Sequence, residues 1–110
     1  MPYYMLQATY SSEARAAQAR NHDNIMERAG IVAEKLGGKI ENIFYSFGDY
    51  DVVVIVELPD NVSASAVMVA VSAGWAVKEA KITPLMTVEE GIEGMKKASS
   101  AGYRPPVTNR

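Results

Sequence analysis

Hydrophobic residues recur with two different periods along the chain, and the switches between them predict its elements. Residues 3 to 10, YYMLQATY, are rich in aromatic and β-favouring types, which predicts a first strand, and the serines of the following SSEA suit a helix start. Ser12 to Arg20 is Ala-rich and helix-prone until NHDN interrupts it with residues that favour caps and turns. The helical period resumes at Asn24, which has capping-box spacing to Glu27, and places Ile25, Ala29, Val32 and Leu36 on one face before Gly37 and Gly38 stop it. KIENIFYSF, residues 39 to 47, predicts strand two and DVVVIVEL strand three. Gly48 and Asp49 read as a two-residue turn between them, with Gly48 at positive φ. After Pro59, DNVSASAVMVAVSAG predicts a helix of mostly small residues, capped by Asp60 or Asn61 and ended by Gly74. WAVKEAKITPLM predicts a fourth strand, in which Lys78, Glu79 and Lys81 break the apolar pattern as edge strands do. Thr87 and Glu90 form a second capping-box pair, and Val88, Ile92, Met95 and Ser99 trace the expected inward stripe of a final helix.

Right-handed crossovers turn this order into an α+β fold, a ferredoxin-like βαββαβ sandwich with a carboxy-terminal helix. It predicts one domain over residues 1–99 and an aperiodic tail at 100–110. In this topology strands one and three are central and both crossover helices cover the same face of the sheet. A two-residue turn pairs Phe47 with Tyr50, Ser46 with Asp51 and Asn42 with Ile55. Ile43, Tyr45, Phe47, Tyr50, Val52, Val54 and Val56 then share the helix-covered face. The open face carries Ile40, Phe44, Val53 and Ile55, with Asn42, Ser46, Asp51 and Glu57 among them. An open antiparallel face in a monomer should be polar, so the four apolar residues predict a homodimer or higher homo-oligomer formed through that face.

Composition narrows the class of partner. The 110 residues carry 13 acidic and 11 basic side chains, spread along the chain, for a net charge of -2, so no footprint for nucleic acid or an anionic membrane is expected. With no cysteine there is no disulfide and no thiolate chemistry. The first ten residues lack the basic and apolar regions of a secretory signal, and the chain reads as cytoplasmic.

Candidate chemistry is sparse. His22 is the single histidine and sits beside Asp23 in the broken-helix segment; a general base there would need a pocket, and a solvated cap residue is the plainer reading. One histidine and no cysteine make a metal site poor, and neither metal nor cofactor is expected. Asp49 suits the turn, whereas Asp51, if buried and unpaired beside Ser46, could serve as a base; a solvated rim carboxylate competes with that reading. Tyr3, Tyr4, Tyr10, Tyr45 and Tyr50 cluster at strand ends. They are either core or, with Trp75, a wall for a flat apolar or aromatic ligand. The ligand-binding candidates are therefore His22, Asn42, Tyr45, Ser46, Asp51 and Trp75.

Four segments carry a wider resemblance: FGDYDVVVIVELPD, KLGGKI, SAGWAVKEAKITPLMTVEEGIEGMKKA and GYRPP. Together they resemble the GYD domain family, named for the tripeptide Gly48-Asp49-Tyr50. The resemblance implies a dimeric α/β barrel in which two ferredoxin-like sheets pack face to face, in agreement with the face count. It brings no established reaction and no catalytic residue. Trp75 departs from the glycine that the resemblance leads one to expect, so its indole should fill or reshape space left open in relatives. Two functions fit: a small-molecule-binding protein or cofactor-independent enzyme, or a non-catalytic ligand-sensing or protein-interaction module.

Overall fold

β-branched and aromatic residues set the sheet, and small residues set how closely helices approach it. In the computed structural model, which describes residues 1–22 and 24–107, the order is β1 (Tyr3–Tyr10), α1 (Ser12–Arg20), α2 (Ile25–Lys35), β2 (Lys39–Tyr45), β3 (Val52–Glu57), α3 (Asn61–Ala73), β4 (Val77–Leu85) and α4 (Val88–Ser99). The four strands form one antiparallel sheet in the order β2-β3-β1-β4, the ferredoxin-like arrangement. Central β1 and β3 alternate strictly, burying Tyr4, Leu6, Ala8 and Tyr10 and then Val52, Val54 and Val56 against α1, α2 and α3. Caps fall where the sequence places them. Asn24 accepts from the Met26 amide at 2.9 Å, Asp60 from Ser63 at 2.8 Å, and Thr87 and Glu90 close a full capping box.

The β2–β3 connection differs from the two-residue turn. β2 ends at Tyr45, and Ser46 closes a wider loop by donating its amide to the Asp51 carbonyl at 2.8 Å and its hydroxyl to the Tyr50 carbonyl at 2.6 Å. Four residues lie between Ser46 and Asp51 instead of a paired Phe47 and Tyr50. Gly48 consequently has no positive φ, and Phe47 is fully exposed and not on the covered face. The register survives, since Asn42 still meets Ile55 and Phe44 meets Val53. It slips further along, where a bulge between Ile40 and Asn42 sets Ile40 opposite Val56. Ile40 therefore packs against the covered core and does not belong to the open face. A single inserted residue inverts every side chain beyond it, and the apolar pattern carries no mark of which residue bulges.

Two glycines before β2 have different tasks. Gly37 takes φ of 80°, the left-handed stop of α2. A Cβ on Gly38 would run into the Glu57 carbonyl oxygen and lie 2.8 Å from Leu58 Cδ2, so the chain can pass β3 only without a side chain there.

α4 departs most from expectation. Its stripe exists, but Val88 is 77 % exposed, Met95 72 % and Ile92 45 %, and the helix buries no residue against its own chain. The molecule is drawn out to 60 × 36 × 22 Å with a radius of gyration of 18.1 Å, against about 13 Å for a compact chain of this size. No helix among the described residues is long and apolar enough to cross a membrane.

Candidate functional site

The helices straddle the sheet instead of meeting over its middle. α2 packs mainly against β2 and α3 against β4, which leaves a groove floored by the central strands. Its main cavity, about 170 Å³, is lined by Leu6 and Val54 from the sheet, Ile25, Ala29 and Val32 from α2, and Val71 from α3. A smaller lobe of about 80 Å³ runs on toward Ile40, Val56 and Val67. Small residues on α2 explain the space. Ala29 and Ala33 lie where larger side chains would reach the sheet, on the stripe that also carries Ile25 and Val32.

Tyr10 closes one end of the groove. It is 7 % exposed, and its hydroxyl is buried without a hydrogen-bond partner among the described residues. An unsatisfied buried hydroxyl costs roughly 1–3 kcal/mol. Burial raises the phenol pKa and neighbouring Tyr45 adds to the rise, while the Gln18 amide and the Arg28 guanidinium pull it the other way. Gln18 stands close to the hydroxyl without closing a hydrogen bond to it. Tyr10 and Arg28 both line the main cavity. They also line an adjoining recess of about 170 Å³ bounded by Ala14, Asn21 and Trp75. Arg28 reaches this end of the groove because it follows Ile25 by three positions on the same helical face.

A model of the GYD domain family matches residues 4–95. The chain belongs to the GYD domain family. A search of curated proteins found no match.

The name-giving loop of this GYD domain ties down the rim of the site. Asp51 accepts from the Tyr10 amide at 2.9 Å and forms an ion pair with Arg15 of α1 at 2.8 Å, joining the loop to β1 and α1. Thr9 adds a 3.3 Å hydrogen bond to the Asp49 carbonyl. Asp51 is thus a partnered rim carboxylate, and the condition for a free base, burial without a partner, is not met. A shallow recess brings Tyr45, Ser46 and Asp51 together with Tyr10, Arg15 and Gln18. Trp75 borders the neighbouring recess and is 67 % exposed, so it forms a wall at the mouth and no part of the core.

The other expected residues lie apart. His22 is exposed in the connection between α1 and α2 and lines none of these recesses, and Asp23 lies outside the described residues. Asn42 sits on the open face beside Ile55, remote from the groove. No group of His, Cys, Asp and Glu among the described residues could hold a metal. Sequence reasoning placed Tyr10 in the aromatic cluster without singling it out as a binding candidate, and it missed Arg28 and Gln18. One signal was available, because β1 alternation sends Tyr10 to the same buried face as Leu6 and Ala8, and a buried phenol needs a partner.

Proposed function

We propose that this GYD domain protein is a homodimeric, cytoplasmic small-molecule-binding protein whose ligand seats in the groove between α2, α3 and the central strands. The observation that carries this reading is the groove itself: an apolar cavity of ring-sized volume that ends at a buried hydroxyl lacking a partner among the described residues. Binding is favoured over turnover because Asp51, the best-placed carboxylate, already accepts two hydrogen bonds.

Dimerisation is supported by two uncovered apolar surfaces. On the open face, Ile55 pairs with Met5 and Val53 with Gln7, so Met5, Phe44, Val53 and Ile55 form an apolar centre bordered by Asn42, Lys81 and Thr83. An apolar centre with a polar rim is the anatomy of a protein interface. The stripe on α4 is the second surface. A helix of 12 residues is marginal by itself in water, and a second copy of this chain would supply the contacts that its own fold withholds. Native mass spectrometry of the purified full chain tests both parts of the reading. The expected species is a dimer carrying a small organic molecule, and a ligand-free monomer at micromolar concentration would refute it.

A further inference from the structure

The shape and polarity of the groove narrow what it can hold, an inference that rests on the small-molecule-binding reading above. Its two lobes are contiguous, since Leu6, Ala29, Val32, Val54 and Val71 border both of them. The main lobe of about 170 Å³ compares with an engineered apolar cavity of about 150 Å³ that takes benzene, so it matches a single ring. On the same scale the smaller lobe of about 80 Å³ has room for about three carbons, and every side chain around it is aliphatic. Two side chains with polar ends border the main lobe, and neither offers a ligand a handle. The Tyr10 hydroxyl is buried and presents no surface to a molecule in the cavity. Arg28 is exposed to solvent and already engaged within the structure. Asp51 borders neither lobe and is held by Arg15. A carboxylate, phosphate or ammonium entering the groove would shed its water and find no partner, a cost larger than the gain from burying one ring. A sugar or nucleotide would leave several hydroxyls in the same position.

We infer that the groove binds an uncharged, hydrocarbon-like molecule, with one ring over Leu6, Val54 and Val71 and a short aliphatic arm reaching toward Val56 and Val67. Selection then rests on shape and on the exclusion of charge. Two alanines one helical turn apart on α2 set that shape: Ala29 borders both lobes, whereas Ala33 borders only the smaller one.

Toluene, propylbenzene, 2-phenylethanol and phenylacetate are suitable probes, titrated separately against the full chain at neutral pH and followed by calorimetry and amide chemical shifts. Propylbenzene is expected to bind most tightly. 2-Phenylethanol, which replaces its terminal methyl by a hydroxyl, should bind about tenfold more weakly, and phenylacetate at least about a hundredfold more weakly. Ala33→Val fills only the smaller lobe and should weaken propylbenzene about tenfold while sparing toluene. Ala29→Leu narrows both lobes and should abolish binding of both; Ala29 is only half-buried, so this variant carries the test should Ala33→Val fail to fold. Trp75→Gly, at the neighbouring recess, should change neither probe. If phenylacetate binds as tightly as propylbenzene, the uncharged class is wrong and the binding groove stands. If folded Ala29→Leu binds propylbenzene as before, the molecule lies elsewhere and the assignment falls. Conversion of dimer to monomer by propylbenzene, seen in sedimentation, would mean that a second copy fills the groove and would overturn it as well. If no probe binds, at concentrations where shifts of Leu6 and Val54 would report it, the groove reading falls with it.

Discussion

The two faces of the sheet are built from the same strands and have opposite fates. On β3, Val52, Val54 and Val56 are buried under helices, whereas Val53 and Ile55, one residue out of step, stay half-buried on the open side beside a 60 % exposed Phe44. Composition does not separate them, since both sets are β-branched and apolar. Their difference lies in what the rest of the chain can reach. Both crossovers run on one side, so one set is covered within the chain and the other is left uncovered by it. α4 repeats the lesson, because its apolar stripe and full capping box form a well-specified helix to which its own domain offers no surface.

The largest effect should come from placing one carboxylate on either side of β3. Val54→Asp buries a charge without a partner, costs more than about 4 kcal/mol and should abolish the folded circular-dichroism signal. Val53→Asp should leave the fold intact and shift the sedimentation profile from dimer to monomer. If the two substitutions unfold the protein equally, the faces do not differ as described.

Glycine substitutions sharpen the contrast between the packed and free parts of the same hairpin. Gly38→Ala drives a methyl against the Glu57 carbonyl and should lower stability by about 3 kcal/mol in urea denaturation. A Cβ on Gly48 meets nothing within 4 Å and the backbone there has ordinary φ, so Gly48→Ala should stay within about 0.5 kcal/mol. A large loss at Gly48 would restore the tight turn that its sequence suggests.

For α4, Thr87→Ala removes a cap worth about 1 kcal/mol of helix stability. Amide exchange should quicken across residues 88–99, while β1 and β3 keep their protection. Loss of protection in the sheet as well would mean that α4 is integral to the domain core.

The smallest effect is acid sensitivity at the head of α3, on the covered side. Hydrogen bonds from Ser63 hold the Asp60 pKa below the usual carboxylate value. A lowered folded-state pKa stabilises the protein fully above the unfolded-state value, and that contribution is lost as pH falls through the folded-state one. Stability should therefore decline below the ordinary carboxylate range, and Asp60→Asn should flatten this part of the profile. An unchanged profile would mean that the cap adds nothing to acid stability.

Much of this was legible in local sequence, because it depends on groups a few residues apart. Strand and helix order, the caps at Asn24, Asp60 and Thr87, the central position of β3 and the edge character of β4 all follow from period, cap chemistry and crossover handedness. The pairing of Asn42 with Ile55 was legible as well, since a four-residue loop conserves the register of a two-residue turn. Tertiary structure decided what depends on distant groups meeting. The bulge that carries Ile40 to the covered face is one case, since an apolar residue suits either face and only the fit against Val56 chooses. The ion pair that engages Asp51 is another, because Arg15 stands 36 positions away on α1. The groove is a third. Its alanines read as ordinary helix formers, and only the separation of α2 from α3 over the central strands makes them a cavity wall with the Tyr10 hydroxyl at its end.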